Sequence, residues 1–459
     1  MPEAMSPSPT TPPATRSTPR EVRRVAFSGF IGNLIEYYDF LLYGSAAALV
    51  FSRLFFSDLS PALGLVASFG TLATGYVARP LGGILFGYIG DRYGRKRSLL
   101  ITIWMMGLAS GTIGLLPTFD QVGALAPVLL VILRLIQGLA VGGEWGGSAL
   151  LTAEHASDGR RGFVTALGQA GLPAGGVLAT FAMASVASLP DAQLFSWGWR
   201  VPFLFSFVLL GFAVYIRSRV SESPLFVEMS MKQPERAVRT PITTAFKAHP
   251  KALLRGAFVS IPPSLAASLI GSFAVSYAVS VGHNRSTVLI AVGVAFGISV
   301  FTTSAGGWLS DRVGRKPVYM GGAIMFGILA FPIFWMINTL STILLFVSFA
   351  AAFALASSIM ASGLAAILSE FFPTETRYLS VSISYQAGAI IAGLTPMISS
   401  ALLAAAGGGT NTFGVSLFIL GIAVSALAAI MLSRESQGSS LRRVTEDSEA
   451  EQAAVVRNP

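Results

Sequence analysis

GYIGDRYGRK at residues 87–96 recurs as GWLSDRVGRK at residues 307–316. Both copies read G-x-x-x-D-R-x-G-R-K. Asp91 and Asp311 stand nearly half the chain apart, and each copy separates two long apolar runs. A motif repeated at such an offset predicts two similar halves. Two more landmarks recur at almost the same offset. Glu154 and Arg160 follow one apolar run, and Glu370 and Arg377 follow another. GQAG at 168–171 recurs as YQAG at 385–388, which sets Gln169 against Gln386. Such halves of about 200 residues are the pattern of repeat-built membrane proteins.

Composition sets the class. Hydrophobic residues make up 53% of the chain and charged residues only 12%, about half the usual soluble share. Mean hydropathy is +0.67. Apolar runs long enough to cross roughly 30 Å of hydrocarbon recur along the whole sequence. The expectation is an all-α integral membrane protein. The 48 Gly and 24 Pro suit close helix packing and interrupted helices. Cysteine is absent, which excludes disulfides and thiolate metal sites. His155, His249 and His283 are far apart and form no H-x-x-x-H pair, so no metal is expected. No G-x-x-x-x-G-K-[ST] occurs, and no cofactor or ATP site is expected.

Twelve spans follow from hydropathy. They are 25–51, 64–89, 98–117, 125–152, 163–187 and 198–217, then 252–281, 286–309, 317–337, 342–369, 380–404 and 413–432. Residues 1–24 form a Pro, Ser and Thr-rich terminus expected to be disordered, without a cleavable signal. The halves are 25–217 and 252–432. A polar loop, 218–251, joins them, and 433–459 is expected to be a flexible tail. With the N-terminus in the cytoplasm, 26 of the 31 Lys and Arg fall on the inner side, and only Arg53, Arg200 and Arg285 on the outer. That asymmetry predicts that both termini are cytoplasmic. It also explains the net charge of +9 without nucleic acid. Trp197, Trp199 and Trp335 fall near outer ends, as belt residues do.

The repeated loops join spans 2 to 3 and 8 to 9. Orientation alone would explain their Arg and Lys, but not the repeated Asp or the fixed Gly. Asp91 and Asp311 sit at helix ends, where each can meet the positive N-terminus of a neighbouring helix and a nearby Arg. Contacts of this kind would shut one side of the bundle in one state and break in the other. The expected gate comprises Asp91, Arg92, Arg95, Glu154 and Arg160 with Asp311, Arg312, Arg315, Glu370 and Arg377.

The doubled loop resembles the signature of the major facilitator superfamily, and LRLIQG at 133–138 resembles that superfamily's fourth-helix motif. Longer stretches resemble its metabolite:proton symporter family. They are GNLIEYYDFLLYG at 32–44, RPLGG at 79–83, RLIQGLAVGGEWGG at 134–147 with EHA at 154–156, WGWRVPF at 197–203, SESPLF at 221–226 and RYLSVSISYQ at 377–386. The resemblance covers about 25–432 and implies a twelve-helix transporter of small solutes and protons in a bacterial plasma membrane, monomeric in lipid. It is weak for substrate, since similar members carry oxoglutarate, citrate, shikimate, aromatic acids, proline or betaine. An osmosensing member has a coiled-coil tail; residues 433–459 show no heptads.

Ionisable groups inside the spans cost at least ~2.5–3.5 kcal/mol each at mid-bilayer if unpaired, so each is a functional candidate. Span 1 carries Asn33, Glu36, Asp39 and Tyr43 along one slowly drifting stripe. Glu36 and Asp39, one turn apart, repel if both are ionised, which favours keeping a proton on one of them. That suits proton coupling, with a structural pair satisfied by Arg or Tyr as the alternative. Span 4 carries Arg134, Gln137 and Glu144. Arg134 needs an anionic partner, for which Glu36, Asp39 and Glu144 are candidates. For Glu144 a permanent ion pair is the alternative. The expected coupling group is Glu36, Asp39, Arg134 and Glu144. The expected solute-binding group is Tyr37, Tyr43, Arg79, Arg134, Gln137, Gln169, Tyr385 and Gln386, with aromatic packing and helix joining as alternatives. The reading is a proton-driven importer of a small organic acid or zwitterion. Export, or solute sensing without transport, is the rival.

Overall fold

The structure, a computed structural model, describes residues 17–232 and 249–433 together with 435, 437, 438 and 441; within these, every regular element is helical. Twelve rods form the bundle, one for each expected span. In the first half they are α1 (Pro19–Ala46, continued by a π-helical turn Ala47–Phe51), α2 (Pro61–Tyr93), α3 (Arg95–Ile113), α4 (Leu125–His155), α5 (Arg161–Ala187) and α6 (Asp191–Ser218). In the second they are α7 (Pro250–Ser280), α8 (Arg285–Val313), α9 (Arg315–Leu329 with Pro332–Asn338), α10 (Thr342–Ser369), α11 (Arg377–Ala405) and α12 (Phe413–Met431). Eight rods are both long and uniformly apolar. The two segments of α9 are long enough to cross only together and meet at a bend of 45°, where Pro332 cannot continue the helical ladder. The other three, α1 to α3, hold polar groups that prove central to the site.

Helix ends follow local chemistry. α1 begins at Pro19, ahead of the expected span and inside the terminus expected to be disordered. The Thr18 hydroxyl accepts from the Glu21 amide and the Glu21 carboxylate accepts from the Thr18 amide, a reciprocal cap. Residues 1–16 lie outside the described residues. Gly94 and Gly314, the last glycines of the repeated loops, have φ of 109° and 117°. That left-handed backbone turns α2 into α3 and α8 into α9, and it favours glycine.

Prolines shape the interior. Pro263 cannot donate to the Val259 carbonyl, which instead accepts the Tyr319 hydroxyl at 2.6 Å. Pro173 likewise frees the Gln169 carbonyl, and α5 is interrupted at Ala170 beside it. Each half has its own core. Tyr38, Leu42, Phe51, Phe55, Trp199 and Phe203 centre the first; Phe273, Tyr277, Phe326, Phe334 and Phe349 belong to the second. The seam between the cores holds the polar site.

The central loop contributes a short helix, Pro224–Lys232, and 233–248 lie outside the described residues. Described residues of the segment 433–459, expected to be a flexible tail, contact the bundle, and 434, 436, 439, 440 and 442–459 lie outside the described residues. Glu435 accepts from the Arg315 and Lys316 amides, Gln437 donates to the Asp311 carbonyl, and the Leu441 carbonyl accepts from Arg377.

Candidate functional site

At the end of the bundle bearing the repeated loops, two matching ion clusters tie the halves together. Asp91, at the end of α2, accepts from the Tyr378 and Leu379 amides at 3.2 and 2.9 Å. These are the first free amides of α11, so a carboxylate meets a helix N-terminus across the seam. Asp311, at the end of α8, accepts from the Gly162 and Phe163 amides of α5 at 2.8 and 2.7 Å. Arg95 lies 3.1 Å from Asp91 and 3.5 Å from Glu154, and Glu154 also holds Arg377 at 3.1 Å. In the matching cluster Arg315 lies 2.6 Å from Asp311 and 3.8 Å from Glu370, which holds Arg161 at 2.6 Å.

The sequence pairing needs correction here. Arg161, not Arg160, matches Arg377; Arg160 precedes α5 with its side chain exposed. Arg92 and Arg312 also stand outside the clusters. Arg92 donates to the Tyr88 hydroxyl, and Arg312 lies over the Trp308 ring. Sequence reading missed Glu222, whose carboxylate accepts from the Arg95 and Lys96 amides at the start of α3. Glu435 does the same for α9. The available signal was the dipeptide Glu-Ser, repeated at 222–223 and 435–436 after the sixth and twelfth rods.

Deeper in the seam lies a cavity of about 120 Å³, room for on the order of ten waters. The first half lines it with Glu36, Tyr37, Phe40, Tyr76, Arg79 and Gln169. Part of its wall is the Trp145 indole stacked on the Tyr385 ring, with centroids 3.6 Å apart and planes within 3°. Gln169 accepts from the indole nitrogen at 2.7 Å and fixes the ring. The Arg79 guanidinium lies over the Tyr76 and Phe40 rings, 4.6 and 5.1 Å from their centroids, and forms no ion pair among the described residues. Glu36 is 3% exposed, and its buried Oε2 has no hydrogen-bond partner among the described residues.

Asp39 sits behind that cavity. Its oxygens accept from Ser110 at 2.5 Å and Ser206 at 2.8 Å. Gln137 donates to Ser110 at 2.6 Å and accepts from Arg134 at 3.3 Å. The structure therefore links Arg134 to Asp39 through two side chains instead of directly. Arg134 packs over the Tyr43 ring at 4.3 Å, and the Tyr43 hydroxyl meets Thr71 at 2.5 Å. A second space of about 10 Å³ touches Glu36, Asp39, Arg79, Arg134 and Gln137 and joins the two carboxylates' surroundings.

Three expected residues fall elsewhere. Glu144 pairs with Arg217 at 2.5 Å and accepts from Thr102 at 2.6 Å, fully buried between α3, α4 and α6. It is not a partner of Arg134. Arg217, the last residue of the span expected over 198–217, is buried. Gln386 donates to the Gly142 carbonyl at 3.0 Å and joins α11 to α4 without lining the cavity. Tyr43 supports Arg134 and does not reach the main cavity.

Comparison with known proteins agrees with this architecture. A family model described as sugar (and other) transporter matches residues 25–252, and the major facilitator superfamily model matches 256–457. The shikimate transporter of Escherichia coli (strain K12) is 39% identical over 90% of this chain and 95% of the relative. The glycine betaine/proline/ectoine/pipecolic acid transporter OusA of Dickeya dadantii (strain 3937) is 30% identical over 92% of this chain and 85% of the relative. The solved proton:xylose symporter XylE bound to 6-bromo-6-deoxy-D-glucose is 19% identical and has a TM-score of 0.77 over 93% of this chain and 99% of XylE. Against inward-open XylE from E. coli the score is 0.62. Twelve helices in two matching halves, the doubled loop and these relatives place the chain in the major facilitator superfamily, as a membrane transporter of its metabolite:proton symporter family and not an enzyme.

Proposed function

We propose that this protein is a proton-coupled symporter that imports a small organic acid across a bacterial plasma membrane by alternating access. One observation carries the reading. A single seam cavity holds a guanidinium without a carboxylate partner among the described residues, Arg79, and a buried carboxyl oxygen without a hydrogen-bond partner, on Glu36. An unpaired guanidinium there suits a solute carboxylate, which its planar fork can bind with two hydrogen bonds. An ionised Glu36 would be a buried charge with no hydrogen-bond donor on its Oε2 among the described residues. A proton neutralises it, and that proton travels with the solute. The Asp39–Ser110–Gln137–Arg134 chain behind it senses the same charge. The names of the relatives, carriers of acids and zwitterions, support a small carboxylate.

In this reading the two ion clusters are the gate, here shut, and the excess of Lys and Arg on that side supports a cytoplasmic gate and cytoplasmic termini. The protein works as a monomer in lipid. Purified protein in proteoliposomes, given an inward proton gradient, should accumulate a labelled organic acid, and a protonophore should abolish the accumulation. Gradient-driven efflux would make the protein an exporter. Saturable binding with no flux in either direction would make it a receptor.

A further inference from the structure

Away from the seam, α6 packs against both α1 and α3. At the end of the bundle that bears the ion clusters, two hydrogen bonds join the three rods. Arg24 of α1 donates to the Arg219 carbonyl at 3.3 Å, and Lys96 of α3 donates to the Ser218 carbonyl at 2.9 Å. Each rod carries exposed arginine there: Arg20, Arg23 and Arg24 on α1, Arg97 on α3 and Arg219 just past α6. None of the five forms an ion pair among the described residues. The carboxylates beside them are engaged. Glu21 accepts from the Thr18 amide, and Glu222 accepts from the Arg95 and Lys96 amides. Deeper along the rods, exposed apolar side chains follow at helical spacing. They are Tyr215, Phe212 and Val208 on α6, and Ile101, Trp104 and Leu108 on α3. Such a stripe on a spanning helix lies against acyl chains, and arginines at its end reach the headgroups.

The repeat offers a comparison within the same chain. TPREVRRVAF at 18–27 matches HPKALLRGAF at 249–258. Arg20 and Arg24 thus correspond to Lys251 and Arg255, but Arg23 corresponds to Leu254, an exposed apolar residue. In the doubled loop Arg97 corresponds to Pro317. An orientation signal depends on the total charge of one side and has no need to concentrate it at one of two equivalent corners.

We propose that the α1–α3–α6 corner binds the headgroup of one anionic phospholipid, with its phosphodiester among these arginines and its acyl chains along the α3 and α6 stripes. A planar guanidinium can meet a phosphodiester with two hydrogen bonds, and basic pockets between spanning helices suit such headgroups. A zwitterionic headgroup would bring an ammonium to a corner whose carboxylates are already engaged.

The test is native mass spectrometry of the full-length protein in detergent, titrated with dioctanoyl phosphatidylglycerol, dioctanoyl phosphatidylethanolamine or inorganic phosphate. Phosphatidylglycerol should bind at least about tenfold more tightly than either other probe. In R23Q/R97Q, which removes the two charges absent from the matching corner, that preference should fall to within about twofold. Neither side chain makes a hydrogen bond among the described residues, so the thermal unfolding temperature should stay at the wild-type value. R20Q/R219Q, which leaves both residues untouched, should lower the preference independently. K251Q/R255Q at the matching corner should keep it. Equal binding of the two lipids by the wild type overturns the proposal, and so does an intact preference in R23Q/R97Q. An equal loss in K251Q/R255Q would reduce the effect to overall charge and overturn it as well. Phosphate binding as tightly as phosphatidylglycerol would make the corner a site for free anions instead of lipid.

Discussion

Among single residues, Glu36 and Asp39 differ more than their sequence spacing suggests. One stripe of α1 carries both, yet Asp39 accepts two serine hydroxyls while Glu36 Oε2 is orphaned at the cavity. Glu36→Gln keeps the shape and removes the titrating group. It should cut accumulation under a proton gradient at least about tenfold while solute exchange persists, because exchange need not release the proton. Accumulation and exchange measured in the same vesicles check this. Undiminished accumulation by Glu36→Gln would move the coupling role to Asp39. Glu144 behaves otherwise. Its ion pair with Arg217 is buried, so Glu144→Gln leaves a guanidinium without its counter-charge. Removing one partner of such a pair costs about 3–5 kcal/mol. A large fall in thermal unfolding temperature is expected. A variant as stable as the wild type but unable to accumulate solute would return Glu144 to the coupling group. The sequence left both roles open for Glu144, because its partner lies far along the chain on α6.

Between elements, the two clusters make the same contact twice. A carboxylate at the end of one helix caps the N-terminus of another from the opposite half. Asp91→Asn or Asp311→Asn weakens that cap, yet neither residue lines the cavity. Each should slow transport while solute affinity stays within about tenfold, or ~1.4 kcal/mol. Loss of binding in a folded variant would contradict the gate assignment. Arg161→Gln should slow transport as Arg377→Gln does, whereas Arg160→Gln should leave the rate unchanged; initial rates at matched protein amounts decide. The spacing already held this distinction. Arg161 and Arg377 are separated by the same stretch of chain as Glu154 and Glu370, whereas Arg160 is out of step by one position. Two adjacent arginines nevertheless left the choice open, and only the helix start at Arg161 turns one inward.

For the whole molecule, orientation is testable without background, since the chain has no cysteine. Ser230 lies on the Pro224–Lys232 helix of the central loop. A single Ser230→Cys should resist an impermeant thiol reagent in intact cells and react after permeabilisation. Labelling in intact cells would invert the topology and the side of the gate.

The twelve rods, the two halves and the two repeated aspartates at helix ends were legible in the sequence. Long apolar runs allow little else in a bilayer, where each backbone polar group must be satisfied within its own helix. The position of Glu36 and Arg79 inside apolar spans, and the repeat that holds Gln169, also singled those residues out. What spacing could not decide is which charges meet. Glu144 with Arg217 and Trp145 with Tyr385 are contacts between separate helices, and so is the Ser110 bridge that ties Arg134 and Gln137 to Asp39. They depend on how each rod rotates and where proline interrupts it. The sequence thus determined a repeat-built membrane transporter and the residues it must keep from lipid. Only the tertiary structure decided which buried charges are paired and which face the cavity. A buried charge has its role set by its neighbours, and those neighbours come from different helices packed across the bundle.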